Sequence, residues 1–184
     1  MKIVATSITY SITGLLFFFG PPLKTQPSSA TAAGDPKVLI GEHAPEISEG
    51  RWINSTPLKL SDLREKVVLL EFWTYGCYNC RNTIPYLNRW YRKYAGDGFE
   101  IIGVHTPQFA AEKEFFRVAH EVGELGIRYP VVTDNDMKTW GAYHQEYWPV
   151  LYLIDKKGTV LYVHIGEGGY EETEAMIKKL MGTG

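Results

Sequence analysis

Two periods of hydrophobic spacing alternate along this chain and predict an α/β succession of elements. Val67-Val68-Leu69-Leu70-Glu71-Phe72-Trp73 is a nearly continuous apolar run, too short for a helix and suited to a central strand buried on both faces with parallel pairing. Beyond it, Cys80, Ile84, Leu87, Tyr91 and Tyr94 recur at spacings of four and three. That period predicts a helix of about four turns with Cys80 on its apolar face and Cys77 just ahead of its start. Residues 99–104 make the next strand, and Phe115, Val118, Ala119 and Val122 mark a helix ending at Gly123 or Gly126. Val131-Val132-Thr133, entered through Tyr129-Pro130, reads as a short strand, and Trp140 with Tyr143 as a short helix. Residues 150–154 and 159–164 predict a hairpin turning at Lys156-Lys157-Gly158. In the last helix Glu171, Glu172 and Glu174 lie in the first turn and Lys178 and Lys179 in the last, before Gly182, so charge complements the helix dipole at both ends. Upstream of the central strand, Trp52-Ile53-Asn54 and Leu58-Lys59-Leu60 predict a short strand pair leading into a capped helical turn at Ser61-Asp62-Leu63-Arg64.

The amino terminus has a different pattern. Lys2 precedes an apolar stretch over residues 3–19, closed by Gly20-Pro21-Pro22, which reads as an export leader. Small residues at Ser28-Ser29-Ala30-Thr31-Ala32-Ala33 offer cleavage sites, but they lie far beyond Phe19. Residues 1–20 are therefore either a signal peptide or a membrane anchor, although Thr6, Ser7, Thr9, Ser11 and Thr13 dilute a stretch already short for a bilayer span. Residues 21–37, rich in Pro, Ser, Thr and Ala without periodicity, are a linker. Residues 38–184 then form one domain, and the protein works outside the cytoplasm. The formal net charge of -2 and the lack of a basic stripe exclude a nucleic-acid partner.

Two cysteines occur in the chain's 184 residues, three positions apart. That count excludes a four-cysteine zinc site and a framework of several bridges. A disulfide closing so short a loop also removes little chain entropy, so the pair points to chemistry. Thiol-disulfide exchange needs an accessible thiolate, which a helix N-terminus favours through its unpaired N–H groups and dipole. Cys77 occupies that place and is the expected nucleophile. Cys80, one turn on and shielded, is the expected resolving thiol. Glu71 interrupts an apolar strand, where desolvation would hold its carboxyl toward the neutral form and equip it to relay protons to and from the thiols. The alternative for Glu71 is an edge-strand carboxylate paired with Lys66.

These residues resemble the thioredoxin superfamily, and more closely its TlpA/ResA-like extracytoplasmic branch and the redox domain of DipZ-type cytochrome biogenesis proteins. The resemblance runs through Leu69-Leu70-Glu71-Phe72-Trp73-Thr74-Tyr75-Gly76-Cys77-Tyr78-Asn79-Cys80, Gly103-Val104-His105-Thr106-Pro107 and Tyr147-Trp148-Pro149-Val150-Leu151-Tyr152-Leu153-Ile154-Asp155, and covers residues 44–180. It implies an α/β thioredoxin-like fold, a central mixed sheet flanked by helices with an N-terminal extension strand pair. It also implies a cis bond before Pro149, facing the cysteines. The activity it implies is protein thiol-disulfide oxidoreduction through a redox-active Cys77–Cys80 disulfide, with reduction favoured and no cofactor. Its expected clients are exported thiol or disulfide proteins such as apocytochrome c, its electron donor a membrane protein of the DsbD/CcdA type, and its state monomeric. The intervening Tyr78-Asn79 departs from both the Gly-Pro of reducing thioredoxins and the Pro-His of strong oxidants, so the dipeptide does not fix the direction of electron flow.

Trp73, Tyr75, Tyr78 and Trp148 are read as an aromatic rim that binds substrate beside Pro149. His105, at a strand end, reads as structural. Two other functions fit parts of the sequence. Thr74-Tyr75-Gly76-Cys77 matches the Thr-x-x-Cys part of a peroxiredoxin motif, with Leu70 where that motif has proline, which raises a thiol peroxidase. A copper chaperone would use both thiolates and His105 as soft ligands.

Overall fold

The computed structural model describes residues 39–183. The expected leader (1–20), the whole of the expected linker (21–37) and Val38 therefore lie outside the described residues, and among the described ones no helix is long and apolar enough to cross a membrane.

Six strands form one sheet: β1 (Trp52–Ile53), β2 (Val67–Trp73), β3 (Phe99–His105), β4 (Val131–Thr133), β5 (Val150–Ile154) and β6 (Val160–Ile165), in the order β1-β4-β3-β2-β5-β6. β2, β3 and β4 run parallel, whereas β5 pairs antiparallel with β2, β6 with β5 and β1 with β4, so the sheet is mixed. β2 is buried along its whole length, Glu71 included, as a nearly continuous apolar run requires of a central strand. Among the described residues four α-helices accompany the sheet: α1 (Tyr78–Tyr94), α2 (Phe115–Glu124), α3 (Lys138–Ala142) and α4 (Tyr170–Met181).

Alternation along the strands divides the core into two layers. Val67, Leu69 and Trp73 of β2 pack with Cys80, Ile84, Leu87 and Trp90 of α1, Val118 and Val122 of α2, and Ile177 of α4. Val68, Leu70 and Phe72 face the other way, against Leu39, Ile47, Leu60, Leu63, Trp140 and Tyr143. Glu71 therefore points into the layer beneath α1. α4 ends as its charges predict: Gly182, in the left-handed region at φ 77, caps it by donating to the carbonyls of Lys178 and Lys179.

The N-terminal extension differs from expectation. Trp52–Ile53 is a strand, but its partner is β4, with Trp52 opposite Val132, and residues 58–60 do not join it. The carboxylate of Glu46 accepts from the amides of Leu60 (2.6 Å) and Ser61 (3.1 Å). With those donors taken by the Glu46 side chain, the segment turns into a 3-10 helix over Leu60–Leu63, whose N-cap residue Lys59 makes no side-chain capping bond of its own. The hairpin's second strand also begins one residue later than the pattern suggests, because Thr159 instead bridges to His43.

Candidate active site

β2 ends at Trp73, and four residues later the chain enters α1 with Cys77 at its N-cap. Cys77 caps the helix itself. Its Sγ accepts a hydrogen bond from the Cys80 amide (3.3 Å), in the place where Ser or Asp commonly caps. The same sulfur lies 3.9 Å from the carbonyl oxygen of Trp148, to which its thiol donates. Cys77 is half-buried and Cys80 fully buried. Burial, first of all, pushes the Cys80 thiol far above its ordinary range, with the Cys77 hydrogen bond and the nearby charge of Glu71 acting in the same direction.

Glu71 is fully buried. It lies in the β2 ladder between Gly103 of β3 and Leu151 of β5, so neither strand neighbour brings a charge. Desolvation lifts its carboxyl to about 8, against a smaller lowering by the phenol of Tyr129, which donates to Oε2 at 3.1 Å. The pairing with Lys66 does not form; that ammonium lies 3.9 Å from Glu100.

The Trp148-Pro149 bond is cis, as the resemblance implies, and it brings the Trp148 carbonyl to Cys77. Trp148 is half-buried, stacked on Trp140 with ring centroids 4.1 Å apart, and its indole donates to the Thr106 carbonyl (3.1 Å). Tyr75 is half-buried and donates to the Ala111 carbonyl (3.2 Å), while Tyr78 is 76% exposed. Trp73 departs from the expected rim. Alternation turns it inward with Leu69 and Glu71, where it is wholly buried and meets His105 edge-on at 5.2 Å. It shapes the floor of the site and touches no solvent. His105 is buried and neutral at physiological pH, since desolvation lowers it to about 4; its Nε2 lies 3.3 Å from the Thr74 hydroxyl. Among the described residues the two cysteines and His105 do not gather into a metal-ligating cluster.

Three supporting residues escape the sequence pattern. Tyr129 precedes β4 and passes over Gly103 of β3 to reach Glu71. Asp134 is buried and accepts the amides of Lys138 (2.9 Å), Thr139 (3.1 Å) and Trp140 (2.8 Å), fixing α3 and so the indole on which Trp148 stacks. An aspartate shortly before a short helix is a capping signal that would have found it. Glu112 is buried beside the active-site turn and binds the amides of Gln108 (2.6 Å) and Phe109 (3.1 Å); a Cβ on Gly76 would lie 2.2 Å from its Oε1. No local pattern marks it.

Comparison with known proteins agrees with this geometry. The model of the AhpC/TSA family matches residues 40–163. Protein DipZ of Mycobacterium bovis is 45% identical over 133 residues, 71% of this chain but 19% of DipZ, so the chain spans about a fifth of that relative's length. Thiol-disulfide oxidoreductase ResA of Bacillus thuringiensis is 35% identical over 148 residues, covering 78% of this chain and 80% of ResA. Among solved structures, the thioredoxin-like superfamily protein SPOA0173 superposes with a TM-score of 0.71 at 30% identity, over 76% of this chain and 96% of its own.

Proposed function

The chain belongs to the AhpC/TSA family and to its thiol-disulfide oxidoreductases of thioredoxin-like fold, and on that premise we propose that it exchanges dithiol and disulfide with protein substrates through Cys77 and Cys80. The carrying observation is the unequal placement of the two sulfurs: Cys77 half-buried at the N-cap of α1, Cys80 sealed behind it.

In the reducing direction the Cys77 thiolate attacks one sulfur of a client disulfide. The client S–S bond breaks and its first thiolate leaves, taking a proton from solvent. Cys80 then gives its proton to Glu71. The resulting thiolate attacks Cys77 Sγ, closing the Cys77–Cys80 disulfide and expelling the second client thiolate, which is protonated in turn. Two electrons pass to the client. Glu71 suits the relay because a carboxyl near 8 both accepts and returns a proton at neutral pH. Tyr75, Tyr78, Trp148 and Pro149 form the client-binding rim. Reduction is the favoured direction, with electrons restored by a membrane donor of the DsbD/CcdA type. The domain of residues 38–184 acts outside the cytoplasm as a monomer, behind a leader or anchor in residues 1–20.

The test is a trap. Cys80→Ser should accumulate mixed disulfides between Cys77 and client proteins, and Cys77→Ser should form none; retained turnover without trapped complexes refutes the exchange mechanism. The family match also favours examining peroxidase activity. Against that reading stand Leu70 in place of the motif proline and the Thr74 hydroxyl directed at His105. Rapid consumption of hydrogen peroxide by the reduced protein in stopped flow would restore it.

A further inference from the structure

One buried group stands beside the relay without a part in the steps above. Tyr129 is wholly buried, yet its hydroxyl ends on Glu71 Oε2 at 3.1 Å. Three features hold it there. Gly103, the β3 residue paired with Glu71, has no side chain, and a Cβ at that position would lie 3.2 Å from Tyr129 Cε2 and 2.9 Å from Trp73 Nε1. The missing methyl is the space through which the phenol reaches the carboxyl. Asn54, itself in the left-handed region at φ 67, donates from Nδ2 to the carbonyls of Ile127 and Tyr129, each at 3.1 Å, and so pins the backbone from which the ring projects. Tyr91 of α1 closes over the ring edge-on, with centroids 5.9 Å apart.

We infer that Tyr129 is a positioning residue for the resolving step, its phenol admitted by Gly103 and fixed by Asn54 so as to hold Glu71 where it receives the Cys80 proton. The inference rests on the reading of Glu71 as the relay. The phenol occupies Oε2, while Oε1 has no hydrogen-bond partner among the described residues. The carboxyl is thereby oriented, with one oxygen held and the other left to exchange a proton. The titratable groups that interact with Glu71 from the packed elements are Tyr129 before β4 and Cys80 of α1; Gly103 and Leu151 beside it carry no charge.

Donation from an O–H favours the ionised carboxylate. Removing the hydroxyl therefore shifts the ionisation of Glu71 to higher pH, by about one pH unit for a single hydrogen bond to a charged group. At pH 7 that is a resolving step slower by roughly tenfold.

The experiment mixes the reduced protein with 5,5′-dithiobis(2-nitrobenzoate) in stopped flow. The first release of thionitrobenzoate reports attack by Cys77, and the second reports resolution by Cys80. Profiles of the second phase against pH are compared for the native protein, Tyr129→Phe, Gly103→Ala and Glu71→Gln, alongside a carbon-13 titration of the Glu71 carboxyl. Tyr129→Phe should move both the kinetic midpoint and the carboxyl titration upward by about one unit. Gly103→Ala, which displaces the ring without removing its hydroxyl, should move them the same way. Tyr129→Phe in a Glu71→Gln background should have no further effect on the profile. An unmoved midpoint in both single variants, while Glu71→Gln abolishes the pH step, makes Tyr129 a packing residue and overturns the inference alone. A pH step that survives Glu71→Gln overturns the relay, and the inference with it.

Discussion

Replacing Glu71 with glutamine should change the pH dependence of folding more than folding itself. The carboxyl rises from its ordinary 4.5 to about 8 in the folded protein, chiefly through desolvation. Between those values the folded state holds a proton that the unfolded chain has released, so stability falls as pH rises. The contribution is intact below 4.5 and lost as pH passes through 8. At 1.36 kcal/mol for each pH unit, ionisation costs folding about 3 kcal/mol at pH 7 and about 5 kcal/mol above pH 8. Glutamine keeps the shape and still accepts the Tyr129 hydrogen bond, but its amide N–H groups need partners, a pH-independent loss of about 1–3 kcal/mol. Relative to the native protein, Glu71→Gln should be less stable at pH 4, where the amide loss stands alone, and more stable at pH 8.5. Guanidinium unfolding of both proteins under reducing conditions at pH 4, 7 and 8.5 measures this, and contributions common to both cancel in the difference. A stability difference that is the same at all three pH values refutes a desolvated carboxyl at this position.

Iodoacetamide should alkylate Cys77 and leave Cys80 untouched in the folded, reduced protein at neutral pH, as peptide mapping will show; faster labelling of Cys80 reverses the assigned roles. Asp134→Ala should destabilise the protein by about 2–3 kcal/mol, because three amides at the start of α3 lose their acceptor. The denaturant midpoint should fall with an unchanged slope. Tyr78→Ala, which removes a ring exposed by 76%, should leave stability within about 0.5 kcal/mol and weaken client capture by Cys80→Ser. Unaltered capture would remove Tyr78 from the binding rim.

Much of this architecture follows from spacing alone. The run at residues 67–73 has the composition of a doubly covered strand, and the four-three period after Cys80 fixes which face of α1 turns inward. A charge within that run singles out Glu71, because a polar group in a buried strand needs a reason. What spacing does not carry is contact between distant segments. Tyr129 lies 58 residues from Glu71 in sequence, and nothing local in Tyr-Pro-Val-Val tells that its phenol passes over Gly103 of β3 to reach the carboxyl. The same limit explains Trp73: aromatic residues near cysteines read as a rim, but the pleat assigns alternate side chains to opposite layers, and its phase is clear only once β2 is placed. The strand partner of Trp52–Ile53 was hidden for another reason, since the Glu46 carboxylate satisfies amides that a sequence pattern assigns to a neighbouring strand.

The cap of α1 is also its reactive atom, which ties helix energetics to electron transfer. A sulfur that receives the Cys80 amide is a better acceptor as a thiolate than as half of a disulfide. Each oxidation of the pair therefore weakens the start of the helix, and each reduction restores it. By thermodynamic reciprocity, whatever the thiolate contributes to the first turn of α1 is returned as a preference of the protein for its reduced state, which makes its disulfide the stronger oxidant. Residues that tighten or loosen that turn, however far from any client, thereby act on the reduction potential.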